Sequence, residues 1–226
     1  MTILFVTGID TEVGKTVACG VLAKTLLNSG LSVYTQKLVE TGCKDGISHD
    51  LLEHQRIVGR QFNDKAPELH SPYRFKTPVS PHLAAEMDGQ AIDIHYLSKQ
   101  MSDLSTQCQH LLVEGAGGLY VPLIHECTIL DFIIDHGLPI ILVTSPRLGS
   151  INHTLLSLAV CLEKKIDVRA IIYNHYPQVD SWMVDSTRSV IQNYIKQNFN
   201  QTIWLELLSD SEQFEISFND AEKLLF

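Results

Sequence analysis

Thr7-Gly8-Ile9-Asp10-Thr11-Glu12-Val13-Gly14-Lys15-Thr16 is the stretch on which the fold reading turns. The apolar run Ile3 to Thr7 leads into it, and a helical pattern with Val17, Ala18, Val21, Leu22 and Leu26 follows at once. A strand, a glycine-bounded turn and a helix, in that order, are what a phosphate cradle requires. Backbone N–H groups of the loop and of the first helical turn face an anion there, and the helix dipole adds positive potential. Lys15 is placed to span the terminal phosphates of a nucleotide, and Thr16 to offer its hydroxyl to magnesium. Five residues separate Gly8 from Gly14, where the usual P-loop has four. A tight turn with an accidental Gly-Lys-Thr is the competing account, and the flanking strand and helix weigh against it.

Outward from the loop, short runs rich in Ile, Leu and Val recur at Ser32 to Lys37, His110 to Glu114, Pro139 to Thr144 and Val168 to Tyr173. They read as buried parallel strands. Helical patterns alternate with them: Lys15 to Asn28, Asp50 to Val58, Ile94 to Gln107, Thr128 to Asp135, Ile151 to Lys164 and Ser181 to Gln197. The alternation predicts an α/β fold, a mostly parallel central sheet with helices on both faces and ligands gathered at strand ends. At 226 residues, one P-loop domain over 1–226 is expected. Asn63 to Pro81 holds four prolines and is expected to be a largely irregular excursion, while the acidic stretch Asp210 to Phe226 carries no motif and suits a terminal helix.

Composition narrows the partners. A formal charge of −9 and the lack of clustered Lys and Arg argue against nucleic acid. No run reaches the length of a membrane span, and the N-terminus lacks the features of a signal peptide, so a cytoplasmic protein is expected. Five cysteines with no Cys-x-x-Cys spacing suggest reduced, structural thiols.

Three further residues draw attention. Glu114 closes the apolar strand Leu111-Leu112-Val113 and precedes Gly115-Ala116-Gly117-Gly118, so its carboxylate emerges where a second magnesium ligand belongs. A plain glycine turn is the alternative there. Asp50 opens a helix, where metal ligation and a simple N-cap explain it equally well. Lys37 leaves the second strand, and a solvated strand-end lysine is its bland account.

Thr7 to Thr16, Val113 to Gly118 and Leu148-Gly149-Ser150-Ile151-Asn152-His153 together resemble the dethiobiotin synthetases, including their five-residue glycine spacing. Lys37-Leu38-Val39-Glu40-Thr41-Gly42 and Ser80-Pro81-His82 are similar to two further segments of that family, although Leu38 stands where proline is usual. The resemblance implies an ATP- and magnesium-dependent carboxylation of 7,8-diaminopelargonic acid by carbon dioxide, closing a ureido ring through a carbamate and a carbamic-phosphoric anhydride. It implies Thr16, Asp50 and Glu114 as magnesium ligands, and Glu12, Val13, Gly14, Lys15, Thr16 and Val17 as the phosphate loop. Gly115, Ala116 and Gly117 follow on the nucleotide side. Thr11, Lys37, Thr41 and Ser80 are implied on the diamine side, with Lys37, Lys15 and Thr11 catalytic. Asn174 is implied as an adenine contact, with Ile203, Trp204 and Leu205 closing the adenine pocket, although Ile203 replaces a common proline. Gly149, Ser150, Ile151 and Asn152 are implied to receive the substrate carboxylate across a homodimer interface.

Other classes fit less well. A nucleotide-switch ATPase carries an extra lysine near the loop's start, where this chain has Ile9 and Asp10. A small-molecule kinase needs a cluster of lid arginines, and the six arginines here are scattered. A larger amidoligase usually brings a glutaminase domain, for which the chain has no room.

Overall fold

The computed structural model describes residues 1–60, 67–210, 213–215 and 224. The chain opens with β1 (Thr2–Gly8), the phosphate loop and α1 (Lys15–Asn28), then β2 (Val33–Lys37) and the short β3 (Val39–Thr41). Next come α2 (His49–Val58), α3 (Pro67–His70), β4 (Tyr73–Phe75), α4 (Pro81–Asp88) and α5 (Ile94–Ser105). The second half holds β5 (His110–Gly118), the hairpin β6 (Pro122–Ile124) and β7 (Cys127–Thr128), α6 (Ile129–Asp135) and β8 (Ile140–Thr144). It ends with α7 (Ser150–Glu163), β9 (Val168–Asn174), α8 (Ser181–Asn198), β10 (Ile203–Asp210) and β11 (Gln213–Glu215).

The central sheet runs β11-β10-β9-β8-β1-β5-β2, parallel throughout except for the antiparallel edge strand β11. Strands such as Ile140–Thr144 are buried along their whole length, as expected when helices cover both faces. After β2 the chain returns to β5 on one side of β1, then crosses to β8 on the other side. A crevice opens beyond the C-terminal ends of β1, β2, β5 and β9, the usual ligand side of an open α/β sheet.

Most predicted elements match within two residues, and the differences have local causes. Strand β5 runs past Glu114 to Gly118 instead of stopping, with Gly118 level with Gly8 of β1. A Cβ on Gly118 would lie 3.1 Å from the Gly8 carbonyl, so the glycine run lets two backbones stay adjacent. The proline-rich stretch contains α3 and β4, and β4 pairs in parallel with β3 to form a small flap beside the crevice; residues 61–66 lie outside the described residues. Strand β10 was not anticipated. Of the stretch expected to suit a terminal helix, 213–215 form a strand; 211, 212, 216–223, 225 and 226 lie outside the described residues.

Candidate active site

The crevice is a cleft of about 990 Å³. Its walls carry Thr11, Glu12, Gly14, Lys15, Thr16 and Val17 from the loop and α1, Lys37 and Thr41 from β2 and β3, and Asp50 from α2. Ser80, Glu114, Ala116, Gly117 and Asn174 complete the predicted residues that line it.

Local backbone chemistry shapes the loop. Gly14 adopts φ 91°, a left-handed conformation that glycine takes without steric cost. Lys15 is buried and donates to the Asp10 carbonyl at 2.7 Å, so its ammonium lies folded along the loop. Burial, with the Lys37 charge nearby, lowers its pKa to about 8. Asp10 is held by Arg147 and accepts from the Thr11 N–H at 2.7 Å.

At the floor of the cleft four side chains meet. Thr16 Oγ1 lies 3.0 Å from both Asp50 Oδ1 and Glu114 Oε1, which share its one hydroxyl hydrogen. Lys37 Nζ lies 2.6 Å from Asp50 Oδ2 and 2.7 Å from Glu114 Oε1, and also donates to the Gly115 carbonyl at 3.2 Å. Lys37 is 5% exposed and Glu114 is fully buried, so Lys37 is no solvated strand end. Burial opposes its charge, yet the Glu114 and Asp50 carboxylates outweigh burial and raise its pKa. Burial likewise opposes the Glu114 charge, and Lys37 and His54 overcome it, holding that carboxyl well below the usual range.

Asp50 is not the cap of α2. The N-cap of α2 is Ser48, whose hydroxyl accepts from the Leu51 N–H at 3.1 Å, leaving the Asp50 carboxylate free for Thr16 and Lys37. Glu40 ties this corner down, accepting from the His49 and Asp50 N–H groups at 2.8 and 3.2 Å and from the Ser48 hydroxyl. Neither Glu40 nor His54 was singled out from sequence, although His54 stands one helical turn beyond Asp50, a spacing visible in the chain itself.

Three oxygens of Thr16, Asp50 and Glu114 thus converge, and the two carboxylates already share one cation, the Lys37 ammonium. An all-oxygen donor set with two carboxylates suits a hard ion such as magnesium.

At the other end, Asn174 donates to the Val13 carbonyl at 3.0 Å and accepts from the Tyr176 N–H at 3.2 Å, so it shapes its own turn and clamps the loop. Ile203, Trp204 and Leu205 do not join it. They pair with Ala170, Ile171 and Ile172 low on β9, whereas Leu207 stands level with Asn174. Trp204 stacks on Tyr173 and donates to Glu206 at 2.9 Å, and none of the three lines the cleft. Gly149, Ile151 and Asn152 line a separate groove of about 770 Å³, beside Leu156 and Trp182, and Ser150 is buried beneath it.

A family model described as an AAA domain matches residues 2–203. The chain is 47% identical over 206 residues to the ATP-dependent dethiobiotin synthetase BioD 2 of Haemophilus ducreyi, covering 90% of this chain and 96% of that one. It is 42% identical over 210 residues to the ATP-dependent dethiobiotin synthetase BioD 2 of Pasteurella multocida, covering 92% and 98%. Among solved structures, a putative plasmid partition protein of Borrelia burgdorferi bound to AMPPNP superposes with a TM-score of 0.55 at 11% identity, over 99% of this chain and 96% of that one. That likeness is one of fold.

Proposed function

The chain belongs to the ATP-dependent dethiobiotin synthetase family, and from that premise we propose that its cleft closes a cyclic urea on 7,8-diaminopelargonic acid, using carbon dioxide and ATP. The observation that carries the reading at residue level is the convergence of Thr16, Lys37, Asp50 and Glu114 beside the phosphate loop.

One substrate amine adds to carbon dioxide and loses a proton, giving a carbamate. A carbamate oxygen attacks the γ-phosphorus of ATP as the bond to the bridging oxygen breaks and ADP leaves. The second amine then attacks the carbonyl carbon of the mixed anhydride, the ring closes and phosphate departs. Each early step gathers negative charge, so the protein's part is positioning and charge stabilisation.

The loop N–H groups and Lys15 hold the phosphates. In trading the Asp10 carbonyl for a phosphate oxygen, Lys15 exchanges a dipole for a full negative charge as its partner. Lys37 pairs with the carbamate, an anion that replaces its present carboxylate partners. Thr11, Thr41 and Ser80 supply hydroxyls along the diamine; Ser80 makes no capping bond to α4, which supports that role. Thr16, Asp50 and Glu114 are the residues that would hold magnesium, which would supply positive charge against the nucleotide's phosphates. Asn174 is the proposed adenine contact. A homodimer would bring the partner's copy of the α7 N-terminus to the substrate carboxylate, where free N–H groups favour an anion. Leu148, 92% exposed beside that terminus, and the exposed Leu156 and Trp182 support an interface there. Among the described residues no helix is long and apolar enough to cross a membrane.

The test is to incubate the purified protein with ATP, magnesium, the diamine and labelled bicarbonate, omitting each in turn. Phosphate release that needs the diamine, with label in an acid-stable cyclic urea, is the expected result. Hydrolysis indifferent to the diamine, with no labelled urea, refutes the assignment.

A further inference from the structure

Helix α2 serves the cleft twice. Asp50 and His54 are four residues apart and so face the same side of the helix. Asp50 reaches Thr16 and Lys37 at the floor of the cleft, while His54 reaches the far side of the Glu114 carboxylate. The two oxygens of Glu114 are therefore divided. Oε1 faces the cleft and accepts from Thr16 and Lys37. Oε2 faces inward, 2.8 Å from His54 Nε2.

An ionised carboxylate only accepts, so Nε2 carries the hydrogen whichever state the ring adopts. The other ring nitrogen lies 3.0 Å from Thr35 Oγ1. Thr35 precedes Lys37 by two residues on β2 and so shares its face of the sheet. His54 is fully buried, with both nitrogens engaged. The helix can approach this closely because Gly20 faces it: a Cβ there would lie 2.9 Å from Ile57 Cδ1.

The last torsion of a glutamate is broad and roughly two-fold, so a carboxylate bound at one oxygen alone can turn and present either edge. A buried donor on the inner oxygen removes that freedom. We propose that His54 is a positioning residue for the reaction, holding the inner oxygen of Glu114, with Thr35 steadying the ring, so that the outer oxygen meets the nucleotide's divalent cation. The proposal rests on the reading of Glu114 as a metal ligand. It assigns Thr35, His54 and Glu114 to one chain of hydrogen bonds reaching from β2 through α2 to the cleft.

Manganese in place of magnesium, followed by electron paramagnetic resonance as it binds the enzyme–ATP complex, tests this directly. His54→Leu is expected to weaken manganese binding about 10-fold or more, the scale on which such supporting partners act, with ATP affinity in EDTA unchanged. His54→Gln, which keeps a side-chain N–H donor, is expected to recover much of the loss. Thr35→Val is expected to cost about threefold, the effect of one modest hydrogen bond. Wild-type manganese affinity in His54→Leu, alongside a clear loss in Glu114→Gln, overturns the positioning role and leaves the ligand reading standing. Unaltered affinity in Glu114→Gln overturns the ligand reading itself. If His54→Leu does not fold, Thr35→Val decides, and wild-type affinity in that variant overturns the proposal.

Discussion

Gly14→Ala tests how the phosphate loop is held. Gly14 sits at φ 91°, and an alanine there costs about 1–2 kcal/mol from the left-handed backbone alone. The new Cβ would also lie 2.3 Å from Asn174 Nδ2 and 3.2 Å from its Cγ, closer than real contacts allow. The amide must move, and its 3.0 Å bond to the Val13 carbonyl is lost at about 1 kcal/mol. Gly14→Ala is therefore expected to destabilise the protein by about 2–3 kcal/mol. Asn174→Ala alone forfeits the bonds to Val13 and Tyr176, about 1–2 kcal/mol. In the double variant the remaining Cβ of residue 174 stands 3.9 Å away, an ordinary contact, so the lost Val13 bond is counted once rather than twice. Urea unfolding of all four proteins should show the double variant about 1 kcal/mol more stable than the sum of the single effects. Additivity within about 0.3 kcal/mol refutes the claim that Asn174 is what Gly14 makes room for.

Lys37→Ala is expected to retain ATP binding while diamine-dependent turnover falls by about 10²–10³-fold, as when a preorganised charge-stabilising donor is removed; unchanged turnover removes Lys37 from the mechanism. Because the same ammonium lies between Asp50 and Glu114, that variant should also bind magnesium more tightly than wild type without nucleotide, which isothermal titration reads. Glu114→Gln should raise the magnesium concentration needed for half-maximal ATP use by about 10-fold or more, and a normal titration counts against the ligand. If the substrate site spans two subunits, equal amounts of inactive Lys37→Ala and Asn152→Ala proteins should regain about a quarter of wild-type sites after subunit exchange, since half of the dimers are mixed and each holds one intact site. No rescue with exchange confirmed argues against a shared site.

What was legible in the chain depended on how far apart the interacting residues lie. The strand, loop and helix around Lys15 were readable because their signals sit side by side, and α1 has the predicted bounds, Lys15–Asn28. The long helices and buried strands were readable from periodicity, whereas β3, β4, β6 and β7, at two or three residues each, are too short to show a period. Asp50 reads from the chain as a possible cap, and the structure gives that role to Ser48, two residues earlier. Ile203 to Leu205 lie in a strand that the chain signals only weakly, through the β-branched Ile203 and the aromatic Trp204.

His54 marks the limit of such reading. Thr35 and Glu114, which meet its two ring nitrogens, lie 19 and 60 residues away in the chain, and its place one turn beyond Asp50 does not by itself distinguish it from a helix-face histidine packed in the core. Only the parallel pairing of β2 with β5 sets Thr35 and Lys37 level with Leu112 and Glu114, and only the packing of α2 on α1 carries His54 to the same carboxylate. A group that reacts tends to sit in a local motif, because its loop must have the right backbone. A group that orients another is chosen by tertiary geometry, and any donor that reaches the inner oxygen of Glu114 serves. The supporting residues of this cleft are accordingly expected to vary more among relatives than Lys15 or Thr16, with substitutions at 35 and 54 changing together where either changes.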